Sequence, residues 1–167
     1  MKKQILNKID QLQERLIHDI KRMVQIDSVE QPAKTDAPFG EGVKKALLEA
    51  LAISQELGFD ITNMDHQIGY ASWGKSDDYL CAIGHLDVVP VGTGWKHPPF
   101  SAFEEDGFIY GRGVLDNKGP ILSCLYALYA LKELGIEMEK EVRIIFGCDE
   151  ETGFKDLEYY LTKEKRS

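Results

Sequence analysis

Residues 79–87 read Tyr-Leu-Cys-Ala-Ile-Gly-His-Leu-Asp, an apolar run that ends in a histidine and an aspartate. Residues 79–83 are apolar throughout and predict a central β-strand buried on both faces. Residues 142–146 predict a second buried strand, and Asp149-Glu150-Glu151 follows it. Because ligands of open α/β sheets bind where strands give way to loops, both strand ends are candidate sites.

Helical patterns surround these strands. Apolar residues recur at three- and four-residue steps and predict helices over residues 4–26, 43–57, 120–134 and 155–162. Further strands are predicted at residues 59–64, 70–73 and 108–110, with residues 74–78 as a hairpin turn between two strands and residues 89–105 as a long loop. The alternation of helices and strands predicts an α/β fold.

The composition is that of one globular domain. The 167 residues are 43% hydrophobic and 29% charged, and the net charge of −8 argues against a nucleic-acid partner. No apolar run is long enough for a bilayer and no signal peptide is recognisable, so we predict a cytoplasmic protein without a membrane partner. Cys81, Cys124 and Cys148 lie in apolar runs and are predicted to be small buried side chains in a reducing compartment.

His85 and Asp87 stand two residues apart at the end of a predicted strand, so their side chains lean to the same side. This spacing suits a metal-binding histidine and the carboxylate that orients it through its other ring nitrogen. The alternative is an ordinary histidine at a strand end beside a solvated aspartate.

Asp116 lies between Gly111-Arg112-Gly113 and Lys118-Gly119, just before a predicted helix. Glycines at such a position let the backbone and an ion approach closely. A helix N-cap is the alternative role for this aspartate. The glycine spacing fits neither a dinucleotide-binding loop nor a P-loop.

Glu150 and Glu151 close the second buried strand. Adjacent residues of an extended backbone point apart, so one carboxylate could bind a metal while the other takes a proton from water. A glycosidase-type carboxylate pair and a solvated turn are the alternatives. One imidazole and several carboxylates at one sheet edge repel each other unless a cation lies among them, so together the clusters predict a metal-hydrolase site.

The sequence resembles the co-catalytic metallopeptidase family, which includes Xaa-His (carnosinase-like) dipeptidases, aminoacylase, succinyl-diaminopimelate desuccinylase and carboxypeptidase G. The resemblance lies in the order of the three clusters, in the strands that precede them and in the residues of the loops between them. Residues 114–120, Val-Leu-Asp-Asn-Lys-Gly-Pro, are most similar to the bacterial Xaa-His dipeptidase branch. The sequence segments that carry the resemblance are Gly-His-Leu-Asp-Val-Val-Pro at 84–90, Gly-Trp at 94–95, Pro-Pro-Phe at 98–100, Asp-Gly-Phe-Ile-Tyr-Gly-Arg-Gly at 106–113, Asp-Asn-Lys-Gly at 116–119 and Asp-Glu-Glu-Thr-Gly at 149–153.

The resemblance implies a three-layer helix/sheet/helix domain with a mixed, mostly parallel sheet. It further implies two divalent metal ions, zinc first, with manganese or cobalt as alternatives. His85 would bind the first ion, Asp116 would bridge both with a cis peptide bond after it, and Glu151 would bind the second. Asp87 would orient His85, and Glu150 would be the general base for a hydroxide held by the two metals that attacks the amide bond of a dipeptide.

The family's members are much longer than this chain, and the resemblance makes residues 1–167 the N-terminal part of a catalytic domain, with the lid domain and C-terminal part elsewhere. Because the remaining metal ligands of the family lie in those parts, we expect the chain to be inactive alone. His18, His66 and His97 are not expected to replace them. An N-acyl amino acid amidohydrolase is the alternative enzyme, and a non-catalytic metal-binding or self-associating module is the alternative of another class.

Overall fold

The structure, a computed structural model, describes residues 1–164. Every helix and strand predicted above is confirmed, and each end lies within two residues of the predicted one; in addition a short strand forms inside the predicted 89–105 loop. In chain order the elements are α1 (Lys2–Val24), α2 (Glu41–Glu56), β1 (Asp60–Met64), β2 (Ile68–Trp73), β3 (Tyr79–His85), β4 (Phe103–Glu105), β5 (Phe108–Tyr110), a π-helical turn (Val114–Lys118), α3 (Gly119–Glu133), β6 (Glu141–Gly147) and α4 (Lys155–Lys163).

The main sheet has the strand order β1-β2-β6-β3. A mixed sheet of an α/β fold is therefore confirmed, but the expected parallel majority is wrong for the described strands. Only β3 and β6 run parallel, whereas β1–β2 and β2–β6 are antiparallel. The tight turn at Asp65 and His66, both with positive φ, folds β2 back along β1, and the other edge of β2 pairs with β6, also in the antiparallel direction.

Strand β3 lies at the edge of this sheet, so its prediction as a central, doubly buried strand is wrong. Leu80 is 57% exposed and Ile83 is 52% exposed. Residues 74–78 are not a hairpin turn, because β6 pairs with both β2 and β3 and separates them. An apolar run identifies a strand, but its place in the sheet depends on a partner more than fifty residues away.

Helices cover both faces of the sheet, which confirms the three layers. The large core lies between the sheet and α1, α2 and α3, and it includes Leu47, Leu86, Leu125 and Phe146. Helix α4 covers the opposite face, where a smaller cluster forms around Ile68, Ile145 and Tyr160. None of the helices among residues 1–164 is both long and apolar enough to cross a membrane.

Two of the three cysteines differ from the prediction of buried side chains. Cys148 is buried at the end of β6, and burial raises the pKa of its thiol. Cys81 and Cys124 are exposed, so the expectation of buried side chains is wrong for both. Cys81 lies on the edge strand, and Cys124 lies on α3 beside exposed Ser123, away from the buried stripe of this helix.

A buried carboxylate joins the three helices on the large-core side. Asp19 of α1 is 2% exposed and accepts a 2.5 Å hydrogen bond from the Tyr126 hydroxyl of α3. Arg22, one turn further along α1, donates to Asp19 at 3.0 Å and to Glu56 of α2 at 2.9 Å. These contacts fix the position of α1, whose C-terminal end approaches the loops described next.

Candidate active site

The predicted site residues meet at the end of the only parallel strand pair described. In the register of β3 and β6, His85 lies opposite Gly147, so the chain leaves both strands at the same sheet edge. The loop after β3 carries Asp87, and the turn after β6 carries Glu150 and Glu151. The π-helical turn before α3 brings Asp116 to the same place.

His85 is the centre of this group. It is 6% exposed, and its Nε2 lies 3.1 Å from Asp116 Oδ1 and 3.8 Å from Glu150 Oε2. Its Nδ1 lies 3.0 Å from the backbone oxygen of Asp87. Burial alone lowers the pKa of His85, but the carboxylates of Asp87 and Asp116 outweigh it and raise the pKa to about 9.

Asp87 ties the two strand-end loops together. Its Oδ2 accepts a hydrogen bond from the backbone amide of Glu151 at 3.0 Å. Its Oδ1 lies 3.4 Å from His85 Nδ1 but has no hydrogen-bond partner among the described residues, because Nδ1 is directed to the carbonyl oxygen instead. Burial raises the pKa of Asp87, yet His85 and the amide of Glu151 outweigh it and hold the pKa below its usual value.

Glu150 and Glu151 lie in a turn rather than in extended backbone, so the expectation that their side chains point apart is wrong. One carboxylate oxygen of each lies within 4.8 Å of the other and of a His85 ring nitrogen. Buried Asp149 shapes the turn by accepting hydrogen bonds from the Lys155 amide at 2.9 Å and from the Thr152 hydroxyl. Burial, followed by the nearby carboxylates of Asp116 and Glu150, raises the pKa of Glu151 against the opposing effect of His85.

Asp116 lies in the π-helical turn with an extended backbone, φ −135° and ψ 98°. The alternative of a helix N-cap is wrong, because Lys118 occupies the N-cap position of α3. The peptide bond between Asp116 and Asn117 is cis, as the resemblance implied. The Asp116 side chain is 74% exposed and reaches the group through His85.

Two functional candidates were missed in the sequence. Lys118 is completely buried, and its Nζ donates to the carbonyl oxygens of Met23 and Ile26 at the end of α1. Burial lowers its pKa to about 7. A signal did exist, since Lys118 is the only charged residue from 117 to 131. Asp156 accepts from the amides of Cys148 and Asp149 at 2.6 and 3.2 Å, and no sequence pattern marked it.

The other three histidines lie outside the group, as expected. The His18 side chain is 71% exposed and lies on α1 beside Asp19. His66 lies in the β1–β2 turn and contacts Asn63. His97 stacks on Phe103 with ring centroids 3.7 Å apart. Within residues 1–164, His85, Glu150 and Glu151 form the one group of three side chains with the spacing of a metal site.

The charges and spacing of the group fit a divalent cation. Ligands of one tetrahedral zinc at about 2.0–2.2 Å from the ion lie roughly 3.3–3.6 Å from each other. The 3.1 Å from His85 to Asp116 and the 3.8 Å to Glu150 fall on either side of that range. Burial first, and then the carboxylates of Asp116 and Glu150, raise the pKa of Glu151, and a bound cation would relieve the repulsion among these carboxylates.

A cavity of about 330 Å³ opens beside the group. Its polar side is formed by His85, Asp116 and Glu150, and its apolar side by Ile83 and Phe154. A space of this size, with converging carboxylates at one end, could accept a small organic substrate next to a bound ion.

Known proteins are similar to this chain in both sequence and fold. A putative dipeptidase, YtjP of Bacillus subtilis, is 40% identical over 154 residues, which are 91% of this chain and 33% of that protein. The Beta-Ala-Xaa dipeptidase of Lactobacillus delbrueckii is 38% identical over 152 residues, 89% of this chain and 32% of the relative. The crystal structure of human carnosine dipeptidase 1 superposes with a TM-score of 0.83 at 28% identity, over 98% of this chain and 38% of that one.

The chain thus spans about a third of the length of the curated relatives it matches. The model of peptidase family M20/M25/M40 matches residues 81–165, just over half of the chain and the part that carries His85, Asp87, Asp116, Glu150 and Glu151. With the fold and the relatives in agreement, the chain belongs to peptidase family M20/M25/M40.

Proposed function

We propose that this chain supplies one side of a two-metal peptidase site that hydrolyses the amide bond of dipeptides. The observation that carries the proposal is the meeting of His85 with Asp116 at 3.1 Å and with Glu150 and Glu151 inside 4.8 Å, from three separate loops. The relatives named as dipeptidases support the substrate class.

His85 and Asp116 would hold the first ion, and Asp116 and Glu151 the second. Zinc, or manganese or cobalt in its place, would supply a Lewis acid that polarises the scissile carbonyl and makes water more acidic. Asp87 keeps the His85 ring turned so that Nε2 faces the carboxylates, since Nδ1 is engaged at the Asp87 backbone oxygen.

Glu150 is the proposed general base. Its Oε2 lies at the group but the side chain is 43% exposed, so water and a substrate can reach it. Glu150 would take a proton from the attacking water at Oε2 and pass it to the leaving amine. The geometry also allows Glu150 to bind an ion, because it shares the 4.8 Å group with His85 and Glu151.

Residues 1–167 are proposed to be the N-terminal part of the catalytic domain, with lid and further ligands in other parts of the family's chains. Supporting this, the chain matches about a third of each relative. The proposed ligands give two protein side chains to each ion, whereas catalytic zinc commonly has three. We therefore expect metal binding by this chain and little or no turnover. The cytoplasm stays the proposed location, on the sequence argument given above.

The experiment is a calorimetric titration of chelator-stripped protein with zinc and with manganese, and a hydrolysis assay with a β-alanyl dipeptide and an N-acyl amino acid on the same samples. H85A and E151Q should bind zinc at least tenfold more weakly, because metal sites depend on each ligand. E150Q should bind zinc like the wild type if Glu150 is the base. D77N, an exposed aspartate in the β2–β3 connection, is the control. Equal zinc affinity in all variants would contradict the site.

Hydrolysis separates the enzyme candidates. Turnover of the dipeptide by a longer chain that contains these residues, with loss of turnover in its E150Q variant, would support the dipeptidase. Preference for the N-acyl amino acid would favour the amidohydrolase instead.

A self-associating, non-catalytic module is favoured by one observation, the apolar outer edge of β3. Within residues 1–164 no strand pairs with this edge, and Leu80 and Ile83 are largely exposed on it. An open apolar edge favours pairing with a second copy of the chain. Sedimentation at rising concentration tests this, with I83K expected to abolish association; a monomer at all concentrations would exclude it.

A further inference from the structure

Residues 23–29, the end of α1 and the turn after it, carry none of the proposed metal ligands but contact both loops that do. We name them the brace segment. On one side the segment accepts hydrogen bonds from Lys118, two residues beyond Asp116. On the other side it bonds to residues 86 and 88, which flank Asp87.

Lys118 forms the first connection. Its Nζ donates to Met23 O at 3.1 Å and to Ile26 O at 2.8 Å, inside the protein and out of contact with solvent. Burying an amine is costly unless hydrogen bonds offset it, and an apolar side chain of similar length would fill the same space without that cost. Carbonyl oxygens at a helix C-terminus attract such a donor, which makes the contact directional.

Ser28 forms the second connection. Its hydroxyl, also buried, donates to Leu86 O at 2.6 Å, between His85 and Asp87. The amide of Val88 donates back to Ser28 O at 3.1 Å, and Val29 and Val88 form a parallel bridge. The loop that follows His85 is therefore hydrogen-bonded to the brace segment on both sides of Asp87.

We propose that Ser28 and Lys118 are positioning residues that set the separation of His85 and Asp116 through the brace segment, an inference that rests on the proposed metal site. Within the described residues, neither side chain forms a hydrogen bond or an ion pair with His85 or Asp116. Asp116 is mostly exposed and meets the group through His85, so its place depends on how the turn that carries it is anchored. Metal ligands must be held to within about 0.5 Å of the required geometry, which a shared anchor provides.

A structural alternative is that Lys118 only caps α1. Lys132 offers a matched comparison, because its Nζ donates to Leu57 O at 3.1 Å at the end of α2. The two lysines share their chemistry at a helix end, but among the described contacts Lys132 does not touch the brace segment or the site loops. K118M and K132M therefore remove the same kind of contact with and without the proposed connection.

The test compares wild type, K118M, S28A, the double variant and K132M by zinc calorimetry and by amide hydrogen exchange of the metal-free protein. We expect K118M and S28A each to weaken zinc binding about tenfold, the lower end of the effect of outer-shell partners. Their effects should be less than additive in the double variant, because both act through one segment. K132M should keep zinc affinity within about twofold of wild type.

Hydrogen exchange reports the connection without any metal. K118M should speed exchange of the Val88 amide, which bonds to the brace segment and not to Lys118. If K118M speeds exchange only within residues 113–118 and leaves Val88 and zinc affinity unchanged, Lys118 is a simple cap and the proposal is wrong. If K118M does not fold, the zinc affinity of S28A decides, since that variant removes only one side-chain hydrogen bond. If the wild-type protein does not bind zinc, the proposed function is wrong. The exchange rate of the Val88 amide in metal-free K118M would still show whether Lys118 acts on the loop after His85 through the brace segment.

Discussion

The backbone amide of Glu151 donates a 3.0 Å hydrogen bond to Asp87 Oδ2, although 64 residues separate the two in sequence. The other carboxylate oxygen of Asp87 lies 3.4 Å from the His85 ring. Asp87 therefore contacts both parts of the site, the glutamate turn through Oδ2 and the His85 ring mainly through its backbone oxygen.

D87N should separate the charge of this side chain from its shape. The amide keeps the volume, but it removes the negative charge facing His85 and can place an N–H against the Glu151 amide. We expect zinc affinity to fall about 10- to 100-fold, the range found for outer partners of metal ligands. Zinc calorimetry measures the effect, with D36N at an exposed ion pair as the control. Equal affinity of D87N and wild type would show that Asp87 does not position the site.

G84A should disturb the approach of β3 to the start of α3. A methyl group on Gly84 would lie 2.8 Å from Ile121 Cβ and would also press on Asn117 Oδ1. We expect a loss of about 1–3 kcal/mol in the free energy of unfolding, as for other overpacked sites. Urea unfolding gives the value, and G153A, whose methyl would meet its nearest atom at 3.4 Å, should change stability much less. A fully stable G84A would mean that α3 shifts freely against β3.

Y126F should reveal the contribution of the buried carboxylate of α1. Without the phenol, Asp19 Oδ2 loses its 2.5 Å hydrogen bond while remaining buried. Hydrogen bonds to charged groups contribute about 1.5–3 kcal/mol, and we expect a loss of that size in urea unfolding. Y129F is the matched control, since Tyr129 packs on Tyr126 but its hydroxyl makes no hydrogen bond within residues 1–164. If Y126F and Y129F lose similar amounts of unfolding free energy, the effect of Y126F comes from packing and not from the hydrogen bond to Asp19.

E56Q should lower stability in a pH-dependent way. The hydrogen-bonded guanidinium of Arg22 holds the pKa of Glu56 below its ordinary value of 4.5. A lowered carboxyl pKa contributes stability above the ordinary value, and the contribution disappears as the pH falls through the lowered pKa. At pH 7 we expect E56Q to be less stable than wild type by under about 1 kcal/mol, because the pair is partly exposed.

The difference between the two proteins should narrow as the pH falls below 4.5 and close once the pH has passed the lowered pKa of Glu56, where the wild-type carboxyl is protonated as well. Urea unfolding at several pH values follows it. A difference that stays constant over this range would assign the effect to side-chain packing and not to the ion pair.

The sequence predicted the helices and strands well because their signals are local. The three- and four-residue spacing in α1 and the apolar run of residues 142–146 reflect burial of one helix face or one strand, whatever lies opposite. Strand neighbours were predicted poorly. The pairing of β3 with β6 joins residues about sixty positions apart, and nothing in residues 74–78 shows that another strand will lie between β2 and β3.

The sequence by itself determined the class of fold, the family and the identity of the candidate site residues, since these follow from residue types in a fixed order along the chain. Only the tertiary structure decided which atoms meet. The parallel register of β3 and β6 places His85 beside the glutamate turn, and the fold of the π-helical turn brings Asp116 Oδ1 to 3.1 Å from His85. Lys118 and Ser28 gained their candidate role in the same way, because hydrogen bonds between distant segments leave no periodic pattern in a sequence.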